Sequence, residues 1–328
     1  MMRFFLRRLI VIPIVLALVN FIGFTYAHAA QRFHAAQNPW GAGSDEAPPI
    51  LPLYVDYARG LLRGDWGKMP VGVSETVAQG LWRAGGVSLG LLALAFAFSA
   101  VIGLLLGLRA VRTGTAGVAA WLIPVSTIGL AAPSFYIGAL FIAATVFYLL
   151  RAGPEARSPL PLGGFGWDIH LVLPVMALVA RPAAQIAQVT ASLLSGEIGQ
   201  QYVIAARSRG NSWARVRWKH ALRNVLAPVI LAMAGSLRLL AGELILVEWL
   251  FAWPGLGRLL ALALIPPNVA SPGGLEGHTV YFLHPELVAA LLPTFAFIFL
   301  AVDTSASTLA RWVDPRLRGV EAEPPHKH

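Results

Sequence analysis

Gly86-Val-Ser88-Leu-Gly90 has the G-x-S-x-G spacing in which a serine hydroxyl can serve as a nucleophile. That chemistry needs a strand-turn-helix elbow and a histidine base. Nothing strand-like precedes Gly86, and His170, His220, His278 and His284 all stand at the ends of apolar runs or in loops. Small residues inside an apolar run are far more often packing positions, so packing is favoured over an intramembrane serine protease. A second chemistry resides in charged side chains within apolar runs: Arg181, Arg238, Glu243 and Asp303, with Glu248 near the outer end of its run. Charges at membrane depth mark substrate paths, proton relays or helix-pairing ion pairs. Arg181 has the chemistry to meet a carboxylate and Glu243 an amine, which makes them candidate substrate-path residues; equally, they suit each other. Gly67-Lys68 is followed by Met69, and no G-x-x-x-x-G-K-[ST] run occurs, so this chain builds no phosphate cradle of that kind. Cysteine is absent, which excludes disulfides and thiolate metal sites. No metal-binding or catalytic residue is assigned.

The elements holding these residues follow from composition. Of 328 residues, 57% are apolar and only 12% charged, where a soluble domain carries about 25%. Long unbroken apolar runs, rather than alternating segments of about 10 residues, exclude a β-barrel and predict an all-α polytopic membrane protein. The net charge of +9 is not gathered on one soluble face. It sits beside the apolar runs, so the partner it implies is the membrane rather than nucleic acid.

Six spans are expected. Leu9 to Tyr26 follows Arg3, Arg7 and Arg8; Ala27-His28-Ala29 imitates a signal-peptidase site, but the run exceeds a signal h-region and predicts a retained anchor over residues 1–27. Residues 28–84 form an extracytoplasmic insertion, with an amphipathic helix expected at Asp56–Gly67 on the outer membrane surface. Gly86–Leu108 is the second span, and Ala116–Leu150 the third, kinked or tilted at Pro124 and Pro133. His170–Ser195, Leu226–Leu250 and Glu286–Leu309 complete the set, with a loop of short helical potential from Phe251 to Pro285. Gly103 and Gly107, with Pro133-Ser134, predict close helix packing and a bend. Basic residues at 3–8, 109–112, 207–223 and 311–318 then fall on one side, which puts both termini and a tail at 311–328 in the cytoplasm.

The cytoplasmic segment at 196–225 is the most informative. Ala205 and Ala206 predict a flat helix surface that another protein can approach, and Gly210 a sharp stop. Arg215, Arg217 and Lys219 alternate with Val216 and Trp218, and Trp213 adds an apolar knob. A short helix with a basic rim suits a cleft on a partner; a positive loop lying on lipid headgroups suits the same composition.

Tyr202-Val-Ile-Ala-Ala-Arg207-Ser-Arg209-Gly210 and His220-Ala-Leu-Arg223-Asn224-Val-Leu-Ala-Pro228 resemble the cytoplasmic coupling loop of ATP-binding-cassette importer permeases. Arg-Gly-Asp65-Trp-Gly67, Val247-Glu248-Trp-Leu-Phe251-Ala-Trp253-Pro254-Gly255-Leu-Gly257, Val302-Asp303 and Asp314-Pro315-Arg316-Leu-Arg318 extend the likeness along the chain. It is specifically similar to the B-type membrane subunit of dipeptide, oligopeptide and nickel importers. The resemblance implies the type I (MetI-like) permease fold over residues 85–310 and a multi-pass protein of a bacterial inner membrane. It also implies a translocation path for short peptides, with nickel or other small solutes behind. The implied partners are a second homologous permease, two cytoplasmic ATPase subunits and an extracytoplasmic solute-binding protein. ATP and Mg would lie on the ATPases, no cofactor on this chain, and the chain itself would not be an enzyme. Ala205, Ala206, Arg207, Arg209, Gly210 and Asn224 are the coupling residues carried over. Two positions depart from the family pattern: Gln201 stands where an acid is usual and Ile204 where Arg is common, so no acidic role is assigned at Gln201. An ion- or proton-coupled secondary transporter is the other transport reading, but it predicts inverted repeats or paired broken helices, and none is found.

Overall fold

A run of backbone amides in lipid has only its own helix to bond to, and the computed structural model answers with helices throughout its described residues. These are 2–36, 49–70, 74–112, 117–266 and 281–313. In chain order they form α1 (Met2–Ala36), α2 (Ile50–Leu62), α3 (Val77–Ala110), α4 (Leu122–Ala131), α5 (Ser134–Ala152), α6 (Val172–Ile198), α7 (Gln201–Ser208), a turn α8 (Trp213–Arg215), a π-helical stretch (Val216–Ala221), α9 (Leu222–Leu250), α10 (Leu256–Leu264) and α11 (Pro285–Val313). Among the described residues, six helical stretches are long and apolar enough to cross a membrane. His278, Asp314 to Arg318 and the tail after Val313 lie outside the described residues.

Several boundaries differ from expectation. The third span is not one kinked helix but two. Ala132 is pushed to an extended ψ of 114° because it precedes Pro133, and Pro133 starts α5 as its N-cap. Pro124 sits in the first turn of α4, where no intrahelical amide bond is lost. The fifth span does not begin at Leu226: helix is continuous from Trp213 to Leu250 over 38 residues, so the basic stretch is the end of the span itself. α1 continues to Ala36 and α3 begins at Val77, so both ends of the insertion at 28–84 are helical.

By contacts the chain divides into two units. The first comprises 1–90, 161–170 and 245–301. Its core joins Leu81, Leu256, Leu260, Leu287, Leu291 and Phe295. The helix expected at Asp56–Gly67 overlaps α2 only as far as Leu62, and α2 starts earlier, at Ile50. Its tyrosines face α1: Tyr57 stacks on Phe24 at 4.9 Å, and the Tyr54 hydroxyl donates to Asn20 at 3.2 Å. Asn20 in turn donates to the Ala289 carbonyl at 2.7 Å. A polar residue inside the first span is thereby spent on tying three helices together.

The second unit comprises 91–160, 171–244 and 302–328. Here α4 and α5 pack on α6. Gly103 and Gly107 provide the close approach that the sequence predicts. A Cβ on Gly103 would meet the Ala183 carbonyl at 2.8 Å, and one on Gly107 would meet Thr190 Cβ at 2.6 Å. Gly107→Leu is therefore expected to force α3 off α6 and cost about 1–3 kcal/mol. Thermal unfolding of the purified protein in detergent checks this, with Gly86→Ala, which has open space, as the silent control.

Candidate functional site

The short helix α7 is amphipathic on its own scale. Val203 and Ala206 turn inward and pack with Val216, and Tyr202 and Trp213 cover them. Gln201, Ile204, Ala205 and Ser208 face outward. Of the two alanines expected to form a flat docking surface, only Ala205 is on it; Ala206 is 2% exposed because it builds the loop's own core.

The stop at Gly210 follows from backbone geometry. Gly210 has φ +79°, a conformation that an L side chain resists. Its amide bonds to the Arg207 carbonyl at 2.9 Å, and the Asn211 amide to the Ala206 carbonyl at 3.3 Å. This pairing is a Schellman closure. The Asn211 side chain adds a second bond to Ala206 O at 2.9 Å. Both arginines also turn back onto the loop. Arg207 lies 4.6 Å over the Trp213 ring and donates to Asn211 O, and Arg209 Nε donates to Ala205 O at 3.1 Å.

The basic rim expected at 215–219 is only partly free. Arg217 donates to the Leu108 carbonyl at 3.0 Å, so it satisfies one of the orphan carbonyls at the end of α3. Asn224 donates to Glu197 Oε2 at 3.2 Å, and the Tyr202 hydroxyl donates to the same oxygen. Burial, then this bond to Glu197, pushes the Tyr202 phenol up to about 12, so it remains a donor across the physiological range. Glu197, at the end of α6, was not singled out in the sequence. It brings the loop's acidic side chain from four residues ahead of Gln201.

At membrane depth the structure pairs the charges. Arg181 Nη1 meets Glu243 Oε1 at 2.7 Å, and Arg238 Nη2 meets Asp303 Oδ1 at 2.7 Å. The two candidate path residues thus face each other.

Glu248 stands two residues before the end of α9 and is fully buried. Ser88 Oγ donates to its Oε1 at 2.6 Å, and the Gly257 amide to its Oε2 at 2.6 Å. The Leu256 amide donates to Ser88 Oγ at 2.8 Å. Ser88 is therefore committed as donor and acceptor in a clamp on the Trp253-Pro254-Gly255 turn, with no histidine in it, and is not poised as a nucleophile. A Cβ on Gly255 would fall 2.2 Å from Glu248 Oε1, so the glycine is required by the carboxylate. An acid inside an apolar run followed by Pro-Gly-Leu-Gly marks the Glu248 half of this clamp in the sequence, but not its Ser88 half.

Residues 99–319 match the family model described as "binding-protein-dependent transport system inner membrane component". The chain is 31% identical to the dipeptide transport system permease protein of Bacillus subtilis, over 76% of this chain and 77% of that one. It is 30% identical to a di/tripeptide transport system permease protein of Pseudomonas aeruginosa, over 65% and 69%. It is 26% identical to a peptide transport system permease protein of Salmonella typhimurium, over 83% and 88%.

The clamp makes Ser88 structural, so its removal is not silent. Ser88→Ala leaves the Leu256 amide and one Glu248 oxygen without partners and should cost about 1–3 kcal/mol. A lowered thermal midpoint in detergent checks this; an unchanged midpoint would refute it.

Proposed function

Since the chain belongs to the binding-protein-dependent transport system inner membrane component family, and is thus a permease subunit of an ABC importer, we propose that it conducts short peptides and is driven through α7. The peptide assignment is supported by the names of the relatives, each a dipeptide, di/tripeptide or peptide transport permease. Nickel or another small solute is the alternative cargo. The chain spans most of the length of these relatives, and the loop lies within the matched residues.

The observation that carries the coupling role is the division of labour in α7. One face is locked to Val216 and Trp213, while Gln201, Ile204, Ala205 and Ser208 are left outward. Ile204 is 61% exposed. A small apolar patch on a helix held by its own packing and a closed turn is suited to a cleft on a cytoplasmic ATPase. Arg207, Arg209, Gly210 and Asn224 serve this role indirectly: they hold the loop's shape, and Ala205 with Ile204 makes the contact. Gln201 contributes an amide rather than a charge. ATP and Mg are held by two separate ATPase subunits in this reading. A second permease and an extracytoplasmic binding protein complete the assembly, and both termini of this chain are cytoplasmic. Closure of the ATPases pushes α7, and because helix is continuous from Trp213 to Leu250 the push reaches the fifth span directly.

The native chain has no cysteine, so Ser208→Cys introduces a single thiol on the outward face of α7. A membrane-impermeant maleimide should label it in inverted vesicles and not in intact cells. Labelling from outside overturns the orientation. Ala205→Trp should lower ATP-dependent dipeptide uptake by the reconstituted transporter at least about tenfold, the equivalent of roughly 1.4 kcal/mol. Gly210→Val should do the same through backbone strain, and Gly210→Asn should retain uptake because Asn tolerates that conformation. Wild-type uptake by Ala205→Trp would sink the coupling reading.

A further inference from the structure

Ion pairs buried among apolar helices are tolerated when every remaining donor and acceptor is also bonded. The Arg181–Glu243 pair does not meet that condition. Its single contact joins Nη1 to Oε1 at 2.7 Å. Arg181 Nε and Glu243 Oε2 are both buried, and neither has a hydrogen-bond partner among the described residues. Gln185, one helical turn after Arg181 on the same face of α6, leaves its buried Oε1 unpartnered as well. By contrast, both oxygens of the buried Glu248 have donors. The other unpartnered buried side-chain atoms among the described residues are hydroxyls and indole nitrogens, at Thr25, Ser134, Thr190, Trp249 and Trp253, whereas these three belong to charged or amide groups.

The cluster also has a way in. The side chains of Arg181 and Glu243 are 33% and 12% exposed. Gly242, beside Glu243, has nothing within 4 Å of the position a Cβ would take. Pro182, beside Arg181, has no amide to give the Leu178 carbonyl, so the α6 backbone is locally under-bonded too.

We propose that the Arg181–Glu243 pair is an exchange site for the two charged ends of a short peptide. It rests on the peptide-permease reading above. When the pair parts, Arg181 presents Nη and Nε as a fork to the terminal carboxylate, the bidentate geometry for which a guanidinium is suited. Glu243 takes the terminal ammonium, whose three N–H groups find Oε1, Oε2 and Gln185 Oε1. The net charge of the cluster is zero before and after, because a zwitterion replaces one internal pair by two intermolecular ones. No uncompensated charge is left in the apolar surroundings at any stage, which is the condition for moving a charged cargo past this depth. The site reads both ends of the cargo and none of its side chains, so it takes peptides of different sequence.

The test uses the whole transporter, reconstituted with its ATPases and binding protein, and an unmodified dipeptide with its N-acetylated and C-amidated forms. Arg181→Glu and Glu243→Arg should each lower both uptake and thermal stability. The double swap Arg181→Glu/Glu243→Arg restores the pair and should recover the thermal midpoint, yet leave uptake at least about tenfold below wild type, the scale of one charge-assisted hydrogen bond. In the milder Glu243→Gln variant, the preference for the unmodified over the N-acetylated dipeptide should fall about tenfold, with the preference over the C-amidated form kept; Arg181→Gln should do the reverse. A double swap that imports the dipeptide at the wild-type rate, or preference ratios unmoved in both Gln variants, overturns the exchange site and leaves the pair purely structural. A wild-type transporter that imports no dipeptide at all, while importing another solute, instead overturns the peptide reading beneath it.

Discussion

A polar atom held between apolar helices has no water to fall back on, and this constraint organises the whole chain. Glu248 shows it at its strictest. The carboxylate is fully buried, and Ser88, Leu256, Gly255 and Gly257 are arranged around it so that each oxygen has a donor and no side chain intrudes. Asn20 obeys the same rule from α1, bonding to Ala289 and to the α2 tyrosines. Arg217 obeys it at the end of α3. The rule is relaxed for hydroxyls and indoles at Thr25, Ser134, Thr190, Trp249 and Trp253, and for charged and amide side chains at Arg181, Gln185 and Glu243.

The same accounting explains why the loop at 196–225 is shaped by its own residues. Its basic side chains do not simply point outward in search of a partner. Arg207, Arg209 and Arg217 all bond to carbonyls, and Glu197 gathers Tyr202 and Asn224. Apart from Arg207, which turns back onto Trp213, the outward residues of α7 are the uncharged Gln201, Ile204, Ala205 and Ser208. In the coupling role proposed above, such a surface would transmit a push by fit, with the closed turn at Gly210 supplying stiffness.

The sequence made the helical class, the spans and the loop legible, because apolar run length and the placement of Arg depend only on local composition. It also disclosed the glycines of α3, since two small residues at i and i+4 in an apolar run have few other uses. Partnerships between distant positions were not legible. Ser88 and Glu248 stand 160 residues apart, and nothing local to either announces the other. Asn224 carries over from the family likeness as a loop residue, yet its partner Glu197 ends a different helix. The break at Ala132-Pro133 was half legible: proline marked the place, but kink and break differ only in how the preceding residue settles. Ala206 was misassigned because alanine fits a docking face and a tight core equally well.

The fifth span does not wind uniformly from Trp213. The stretch Val216–Ala221 closes its hydrogen bonds as a π-helix, one residue wider per bond than the α form. A single additional residue advances the azimuth of everything that follows by about 100°. A helical wheel wound uniformly from Trp213 therefore misplaces Arg238 and Glu243 by more than a quarter of the circumference. The compass bearing of the span's charged side chains is set by one widened coil at its basic end.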